Sequence, residues 1–236
     1  MEVYSSDFGV MSKGDGSPVT RADRHAEAII VEGLKRLTPD IPVIAEEAAS
    51  ESGLPIEGAR AFWLVDPLDG TKEFISRNGE FTVNVALIVE GQPVLGVVLA
   101  PAKDRLFAGV PSIGAWMEDE AGRRPIRCRA IPGAGLTVVA SRSHGDESAL
   151  DEFLAGRVVA QRIQAGSSLK LCLVAAGDAD LYPRLGRTME WDIAAGDAVL
   201  RAAGGCVRTL NGDPLRYGKA GFDNPNFVAG GPVQTI

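Results

Sequence analysis

The residues around which this sequence is organised are Trp63-Leu64-Val65-Asp66-Pro67-Leu68-Asp69-Gly70-Thr71. The apolar run over residues 61–65 predicts a buried strand that ends at Asp66. Because the proline disfavours helical geometry at the residue before it and fixes its own φ, Asp66 and Asp69 can converge on one point. The glycine allows a sharp turn, and the N–H groups of a short helix beginning at Thr71 would face an anion.

This stretch has two interpretations. Asp-Pro and Asp-Gly pairs are common in turns, so the residues alone also fit a structural turn. Two carboxylates beside exposed N–H donors instead favour a hard cation that bridges to a phosphate. The carboxylates elsewhere in the chain help to decide between these two interpretations.

Several other carboxylates fall at the ends of predicted elements. Residues 43–45 predict a short strand ending at Glu46 and Glu47, and Asp192 begins a predicted helix. Alone, an acidic pair is usually solvated, Asp192 would be an N-cap, and Asp23 would be a first-turn acid that favours the helix dipole. Strand ends and helix starts are, however, where α/β proteins place sites. Four carboxylates therefore form one candidate Mg²⁺ site: Glu46, Asp66, Asp69 and Asp192.

The composition excludes several classes of partner and cofactor. Lysine and arginine number 24 against 31 aspartates and glutamates, a net charge of −7, which gives no case for binding a nucleic-acid polymer. Two histidines exclude a multi-histidine zinc site, so a metal would need oxygen ligands. There is no apolar run of 18 residues, the N-terminus lacks signal-peptide features, and the three cysteines are scattered. These features predict a cytoplasmic protein without a transmembrane segment.

The first part of the chain predicts an α+β arrangement. A helix over residues 20–37 is followed by an antiparallel meander with a tight turn at Gly91-Gln92. The meander strands cover residues 81–90, 93–100 and 105–110. Glycine and proline cluster at residues 131–135, which favours a domain boundary and a division into parts 1–133 and 134–236.

The second part alternates strands with helices, which is typical of an α/β arrangement. The predicted helices cover residues 147–155, 168–176 and 192–203. The predicted strands cover residues 136–140, 158–163, 179–182 and 206–210, the last of them final and followed by a turn at Asn211-Gly212. We expect the site to lie between the two parts, with Asp192 supplied by the second.

These motifs resemble those of the inositol monophosphatase superfamily, which are Mg²⁺-dependent, lithium-sensitive phosphatases. One signature is residues 63–71, and the other is Trp191-Asp192-Ile193-Ala194-Ala195-Gly196, followed by Leu200 and residues 203–205. Glu46 and Glu47 lie upstream in the expected order, and the resemblance covers residues 12–227. It implies a layered α-β-α-β-α sandwich, and it implies that this chain begins near the end of the family's first helix.

Further motifs resemble the bisphosphate nucleotidase branch of the superfamily. Inositol monophosphatases usually read Asp-Gly-Thr-Thr-Asn-Phe, whereas this chain has residues 69–74 with Lys72 and Glu73 in the middle. Other local matches are residues 17–20, 77–84, 141–144, 166–170 and 181–184. The resemblance implies hydrolysis of the 3′-phosphate of adenosine 3′,5′-bisphosphate to AMP, activity on 3′-phosphoadenylyl sulfate, and a role in sulfate assimilation.

The resemblance also implies roles for individual residues. The ligands of two or three Mg²⁺ ions would be Glu46, Asp66, the carbonyl of Leu68, Asp69 and Asp192. Gly70 and Thr71 would donate N–H groups to the scissile phosphate. Thr71, paired with Asp23 or assisted by Glu46, would orient the attacking water.

Basic and polar residues would hold the phosphate that is not cleaved. The candidates for this second phosphate are Ser141, Arg142, Ser143, His144, Ser168, Lys170, Tyr182 and Arg184. The other residues expected to contact the substrate are Glu46, Leu68, Asp69, Gly70, Thr71 and Asp192. Some have simpler interpretations: Lys170 also fits a solvated helix face, Arg184 a surface ion pair, and His144 an ordinary loop residue. No motif identifies the adenine site.

The expected partner is a small nucleoside bisphosphate, bound by a monomer or homodimer in the cytoplasm, with peripheral association with the inner membrane left open. One alternative function is the same chemistry on an inositol phosphate or on fructose 1,6-bisphosphate. Another is a non-catalytic regulator that binds Mg²⁺ or phosphate. The intact set of candidate catalytic and metal residues argues against the regulator: Glu46, Asp66, Asp69, Thr71 and Asp192.

Overall fold

The computed structural model describes residues 1–6, 9–12, 18–52, 59–142 and 146–231. The helices are α1 (Glu2–Ser5), α2 (Arg21–Leu37), α3 (Glu46–Ser52), α4 (Thr71–Ile75), α5 (Glu147–Leu154), α6 (Leu169–Ala175) and α7 (Glu190–Ala202). The first nine strands are β1 (Val10–Ser12), β2 (Pro18–Thr20), β3 (Val43–Ala45), β4 (Ala61–Asp69), β5 (Thr82–Val89), β6 (Gln92–Ala100), β7 (Arg105–Val110), β8 (Gly114–Asp119) and β9 (Gly122–Ile126). The others are β10 (Leu136–Ser141), β11 (Val159–Ala165), β12 (Leu181–Arg184), β13 (Thr188–Met189), β14 (Cys206–Thr209), β15 (Asp223–Asn224) and β16 (Phe227–Gly230).

Two large sheets form the framework. The first has seven strands in chain order from β3 to β9, parallel between β3 and β4 and antiparallel thereafter. The second has the order β11-β10-β12-β16-β14, with β10 parallel to both neighbours and β16 antiparallel to both of its own. The predicted meander is confirmed, but it continues through β8 and β9, which the sequence analysis did not predict.

Helices and sheets alternate in five layers. On the outer face of the first sheet, Leu34 of α2 packs with Trp63 and Val65 of β4. Helices α6 and α7 fill the space between the sheets, and Leu154 of α5 covers the far side of the second sheet together with Leu136. The predicted α-β-α-β-α sandwich is therefore confirmed. In the described part of the chain, no helix is both long and apolar enough to cross a bilayer.

Helix α7 lies directly on the backbone of the first sheet because two strand residues there lack side chains. A Cβ atom on Gly109 of β7 would lie 2.6 Å from the Cα of Val199, and one on Gly96 of β6 would collide with the carbonyl of Ala195. The helix therefore packs as close to the sheet as the two backbones allow. The N-terminal end of α7, which carries Asp192, is placed by this contact.

Several predicted boundaries were wrong. The strand predicted over residues 61–65 continues to Asp69, because β4 keeps pairing with β5 across an irregularity that follows Asp66. The tight turn is formed by Glu90 and Gly91, with φ of 51° and 73°, and β6 already begins at the next residue. Residues 206–210 are not the final strand, since β16 follows and pairs with both β12 and β14.

The domain division at residues 131–135 stays a prediction. The first large sheet comes from residues before this segment and the second from residues after it. The core between the sheets takes side chains from both parts, among them Ile44, Val98, Leu171 and Phe227. The active cleft described below is likewise lined by both parts.

Candidate active site

Asp66 lies at the centre of the acidic cluster, which we define as Glu46, Asp66, Asp69 and Asp192. Its side chain is almost completely buried, and its Oδ1 accepts a hydrogen bond of 2.9 Å from the N–H of Leu68. Burial raises the pKa of Asp66 well above its ordinary value, and the neighbouring carboxylates of Glu46, Asp69 and Asp192 raise it further. An empty cluster therefore carries unfavourable charge that a cation would relieve.

Asp69 joins the first sheet to the segment that follows β11. Its Oδ2 accepts hydrogen bonds from the N–H of Ser168 at 2.6 Å, from the Ser168 hydroxyl at 3.1 Å, and from Asn84 Nδ2 at 3.3 Å. Burial raises the pKa of Asp69, while Lys170 and these donors oppose the rise. The Ser168 hydroxyl also donates to the carbonyl of Asp192 at 2.5 Å, so Ser168 positions two members of the cluster.

Asp192 is the third residue of α7 and not its N-cap, because the helix begins two residues earlier than predicted. Its Oδ2 accepts a 2.9 Å hydrogen bond from the N–H of Met189, the residue before the helix. The pKa of Asp192 is raised well above its ordinary value by burial and by the carboxylates of Asp69 and Glu46. The same side chain thus closes the helix end and joins the acidic cluster.

Glu46 directly follows β3, as predicted, and it begins α3, a helix that was not predicted. The helix start is fixed by Glu27 of α2, whose carboxylate accepts from the N–H groups of Glu47 at 2.8 Å and Ala48 at 3.0 Å. Sequence reasoning missed Glu27, because nothing in its local pattern reveals a contact with residues some twenty positions away. The Glu46 side chain hydrogen-bonds to Asp66, which completes the acidic cluster.

The residues of this site fit a hard divalent cation. Within the described ranges, no three Asp, Glu, His or Cys side chains already surround one point closely enough to hold an ion. The available donors are nevertheless oxygens, their negative charge is only partly offset by Lys170, and the neighbouring carboxylates raise the pKa of Asp66 and of Asp192. In the described structure the buried Oδ1 of Asn84, beside Asp69, also accepts no hydrogen bond. Carboxylate and amide oxygens are the ligands that Mg²⁺ prefers, and the individual metal-ligand assignments stay predictions.

The turn after Asp69 has the predicted geometry. Gly70 has a φ of 91°, in the left-handed region that favours glycine, and α4 starts at Thr71. The Thr71 hydroxyl lies 3.5 Å from the carbonyl oxygen of Leu68. Asp23 accepts from the N–H and hydroxyl of Thr20 at 2.8 and 2.7 Å, which confirms the predicted helix start, while its pairing with Thr71 stays a prediction.

A cleft of about 330 Å³ opens beside the acidic cluster. Of the predicted site residues, it is lined by Glu46, Asp69, Gly70, Thr71, Ser141, Lys170, Tyr182, Arg184 and Asp192. Lining residues that the sequence analysis did not predict are Lys72, Glu73, Ser167, Arg187, Thr188, Met189 and Ile193. Asp23, Asp66, Leu68 and Ser168 do not line it, and the last three are buried behind its wall.

Lys170 supplies a buried positive charge to the cleft. Its exposed fraction is 5%, so the interpretation as a solvated helix face was wrong. Its Nζ donates to the carbonyls of Ser167 at 2.6 Å and Ala165 at 3.4 Å and lies 5.4 Å from the centre of the Tyr182 ring. Burial lowers the pKa of Lys170 to about 8, against the opposing effect of Asp69. A bound phosphate would restore the missing counter-charge.

The other predicted phosphate contacts are distributed differently. Arg184 donates from Nη2 to the carbonyl of Arg187 at 2.8 Å and lines the cleft. Arg142 lines instead an adjoining hollow of about 270 Å³, which shares Ser141 and Arg184 with the cleft, and its guanidinium is held by Glu80. The predicted contacts Ser143 and His144 lie outside the described residues.

Comparisons with known proteins agree on one family. The sequence profile of the inositol monophosphatase family matches residues 1–231. The 3′(2′),5′-bisphosphate nucleotidase CysQ of Escherichia coli (strain K12) is 49% identical, over 96% of this chain and 92% of that protein. The crystal structure of CysQ from Bacteroides thetaiotaomicron superposes with a TM-score of 0.82 at 37% identity, covering 99% and 92% of the two chains. The extragenic suppressor protein SuhB from Bartonella henselae gives 0.78 at 29% identity, covering 98% and 87%.

Proposed function

This chain belongs to the inositol monophosphatase family, and we propose that it is the phosphatase that converts adenosine 3′,5′-bisphosphate to AMP and phosphate. It is an enzyme of the 3′(2′),5′-bisphosphate nucleotidase type, like the curated relatives with which it shares about half of its residues. Its activity extends to 3′-phosphoadenylyl sulfate, which carries the same 3′-phosphate. Adenosine 3′,5′-bisphosphate is a by-product of sulfate assimilation, and in this proposal the enzyme removes it.

One observation carries the proposal: the cleft is lined both by acidic residues and by basic residues, one of which is a buried lysine. Asp69 and Asp192 line the cleft together with Lys170 and Arg184. A substrate with one phosphate would need only the acidic groups and the cations they would hold, and would leave the basic groups without a phosphate to contact. A substrate with two phosphates would contact both the acidic and the basic groups, which favours a nucleoside bisphosphate over a monophosphate.

The chain's own residues have defined tasks in this proposal. Magnesium, when bound, supplies positive charge to the scissile phosphate and Lewis-acid activation of water. The acidic cluster would hold it, with the carbonyl of Leu68 as a further donor. Gly70 and Thr71 donate N–H groups to the scissile phosphate, and the Thr71 hydroxyl, assisted by Glu46 or Asp23, orients the attacking water. Lys170, Tyr182 and Arg184 hold the second phosphate and so fix the direction of the substrate.

The test is phosphate release from a panel of substrates at millimolar Mg²⁺ and in EDTA. The panel contains adenosine 3′,5′-bisphosphate, 3′-AMP, inositol 1-phosphate and fructose 1,6-bisphosphate. The proposal predicts the highest kcat/KM on the adenosine bisphosphate and no release in EDTA. A preference for the inositol or fructose substrate would assign the scaffold to one of those activities. Binding of phosphate without release from any substrate would indicate the regulator.

The proposal also covers the partner, the cellular location and the oligomeric state. The partner is a small molecule, the reaction takes place in the cytoplasm, and the three cysteines are free thiols in the structure. Peripheral contact with the inner membrane and the choice between monomer and homodimer are separate questions. Sedimentation of the purified protein with and without vesicles answers both.

A further inference from the structure

Glu80 connects the two parts of the chain through hydrogen bonds with Arg142 and Gly166. It lies between α4 and β5, and its carboxylate accepts from Arg142 Nε at 2.8 Å, from Arg142 Nη2 at 3.1 Å, and from the N–H of Gly166 at 2.9 Å. The Glu80 side chain is 14% exposed, whereas that of Arg142 is 41% exposed. A bidentate pair of this kind is both stronger and more directional than a simple ion pair.

These hydrogen bonds fix residues 164–170, which run from the end of β11 into the first turn of α6. The backbone N–H of Arg142 donates to the carbonyl of Ala165 at 3.3 Å, and its Nη2 donates to the carbonyl of Gln164 at 3.3 Å. A Cβ atom on Gly166 would lie 2.6 Å from the carbonyl oxygen of Glu80, so the two backbones are in direct contact. The segment is therefore held by Glu80 and Arg142 at its beginning.

The same segment carries Lys170, which lines the cleft, and Ser168, which holds Asp69. Ser168 donates its N–H to Asp69 at 2.6 Å, and the ammonium of Lys170 is held by the carbonyl of Ser167 at 2.6 Å. The position of Lys170 relative to Asp69 is thus set by a few residues of backbone. A shift of Gly166 would move the ammonium without removing any group that lines the cleft.

We propose that Glu80 and Arg142 are a positioning pair that fixes the distance between Lys170 and the acidic cluster, and thereby selects substrates with two phosphates. The inference rests on the proposed function for its substrate. It assigns a role to Glu80, which does not itself line the cleft. It also changes the role of Arg142, which the sequence analysis took to be a phosphate ligand.

The two roles for Arg142 predict different results for Glu80. If Arg142 bound phosphate directly, removal of Glu80 would free the guanidinium, and affinity for the bisphosphate would hold or improve. If the pair acts as a unit, the double variant of Glu80→Ala and Arg142→Met would lose less than the sum of the losses of the two single variants. A double-mutant cycle measures this coupling directly.

The first experiment needs no substrate. Hydrogen–deuterium exchange of the free protein is compared for wild type, Glu80→Ala, Glu80→Gln and the control Glu90→Ala. Glu90 forms an exposed ion pair with Arg60 at 2.6 Å and does not line the cleft. Glu80→Ala should increase exchange over residues 164–170 at least about tenfold, the change given by about 1.4 kcal/mol of lost stabilisation. Glu80→Gln, which keeps an acceptor for Gly166, should lie between Glu80→Ala and wild type.

The second experiment measures selectivity. We expect Glu80→Ala to lower kcat/KM for adenosine 3′,5′-bisphosphate about tenfold, mainly through KM, and to change that for 3′-AMP less than twofold. Glu80→Gln should restore part of the loss, and Glu90→Ala should change nothing. Equal losses on both substrates, or unchanged exchange over residues 164–170, would overturn the inference.

The two proposals fail in different ways. If wild type does not hydrolyse the adenosine bisphosphate but hydrolyses another panel substrate, the proposed function is wrong, and the exchange experiment alone then decides whether the pair fixes the segment. If wild type prefers the bisphosphate and Glu80→Ala keeps that preference, the proposed function stands and the positioning role is wrong.

Discussion

Two acidic residues of the same helix have opposite surroundings. Asp192 and Asp197 lie five positions apart on α7, and burial raises the pKa of both carboxyls. Asp197, completely buried, is bonded to Arg201 at 2.8 and 3.0 Å and to the hydroxyl of Tyr217 at 2.8 Å, which oppose the rise. Asp192 has Asp69 and Glu46 as its main electrostatic neighbours, and these raise its pKa further.

The difference separates structure from function within one element. When a buried carboxylate is hydrogen-bonded to an arginine and a hydroxyl, its negative charge is compensated, and removing either charged partner lowers the stability of the fold. An acid that is buried among other acids costs stability until something else supplies positive charge. Perturbed carboxyls of the second kind cluster at functional sites because the missing partner is a ligand. The following predictions test this contrast.

The largest effect is expected from Asp69→Asn. The amide keeps the shape but loses a charge of the acidic cluster, and metal activation is worth several kcal/mol, so kcat should fall about 1,000-fold or more. Because a repulsive charge is removed, the melting temperature in EDTA should stay constant or rise. Assays at saturating Mg²⁺ together with thermal melts measure both. Near-wild-type kcat would show that Asp69 is not required for the reaction.

Asp197→Asn should produce the reverse pattern. Removing one partner of a buried pair leaves Arg201 without its counter-charge, at a cost of about 3–5 kcal/mol of unfolding free energy. The folded fraction should keep its kcat, since Asp197 does not line the cleft. Urea unfolding gives the first quantity, and active-site-titrated kinetics the second. A variant of normal stability and low kcat would erase the contrast with Asp192.

Mg²⁺ should stabilise the protein by relieving the acidic cluster. At a concentration 100 times Kd, the gain is about 2.7 kcal/mol, provided that the unfolded chain does not bind the ion. Thermal melts in EDTA and in millimolar Mg²⁺ measure the shift, and Asp69→Asn should reduce it. An active enzyme without any shift would mean that the ions enter only together with substrate.

Arg184→Glu tests the basic groups of the cleft. Losing a hydrogen bond to a charged phosphate costs about 1.5–3 kcal/mol, or roughly 10- to 150-fold in kcat/KM, and the reversed charge should add to this. Adenosine 3′,5′-bisphosphate should show the loss and 3′-AMP should not. If both substrates lose equally, Arg184 supports the metal site or the fold. If neither does, it is a surface residue after all.

The smallest effect concerns pH. Lys170 has a pKa lowered to about 8 by burial, so its ammonium is present below that pH and is lost as pH rises through it. We therefore expect kcat/KM for the bisphosphate to fall several-fold between about pH 7.5 and 9. Lys170→Arg, whose guanidinium stays charged, should move this limb to higher pH. An unchanged limb would assign it to another group.

The acidic cluster could be predicted from sequence because its members follow strong local signals. Asp66 and Asp69 follow an apolar strand, and Glu46 follows another. The position of Asp192 was predicted less well, because the helix begins at Glu190, a charged residue that is nevertheless completely buried. Its burial depends on hydrogen bonds from Gly218 and Lys219, which no local pattern reveals.

The missed elements lack the usual periodicity. Strand β9 exposes four of its five residues, so its sequence shows no alternation of apolar and polar side chains. Strand β16 is only four residues long and is buried throughout, so it resembles a short apolar loop. The roles of Glu27 and Glu80 were missed for a different reason. Both act on residues distant in sequence, and an isolated glutamate on a surface pattern gives no sign of such a partner.

The two glycines beneath α7 determine how close this helix lies to the first sheet. Gly96 and Gly109 let the helix rest on the strands, and Asp192 extends from the same helix toward the carboxylates of β4. The distance between Asp192 and the carboxylates of β4 therefore depends on the absence of a Cβ atom at Gly96 and at Gly109. Enlarging either residue would push α7 away from the strands, and Asp192 would then lie farther from the carboxylates of β4.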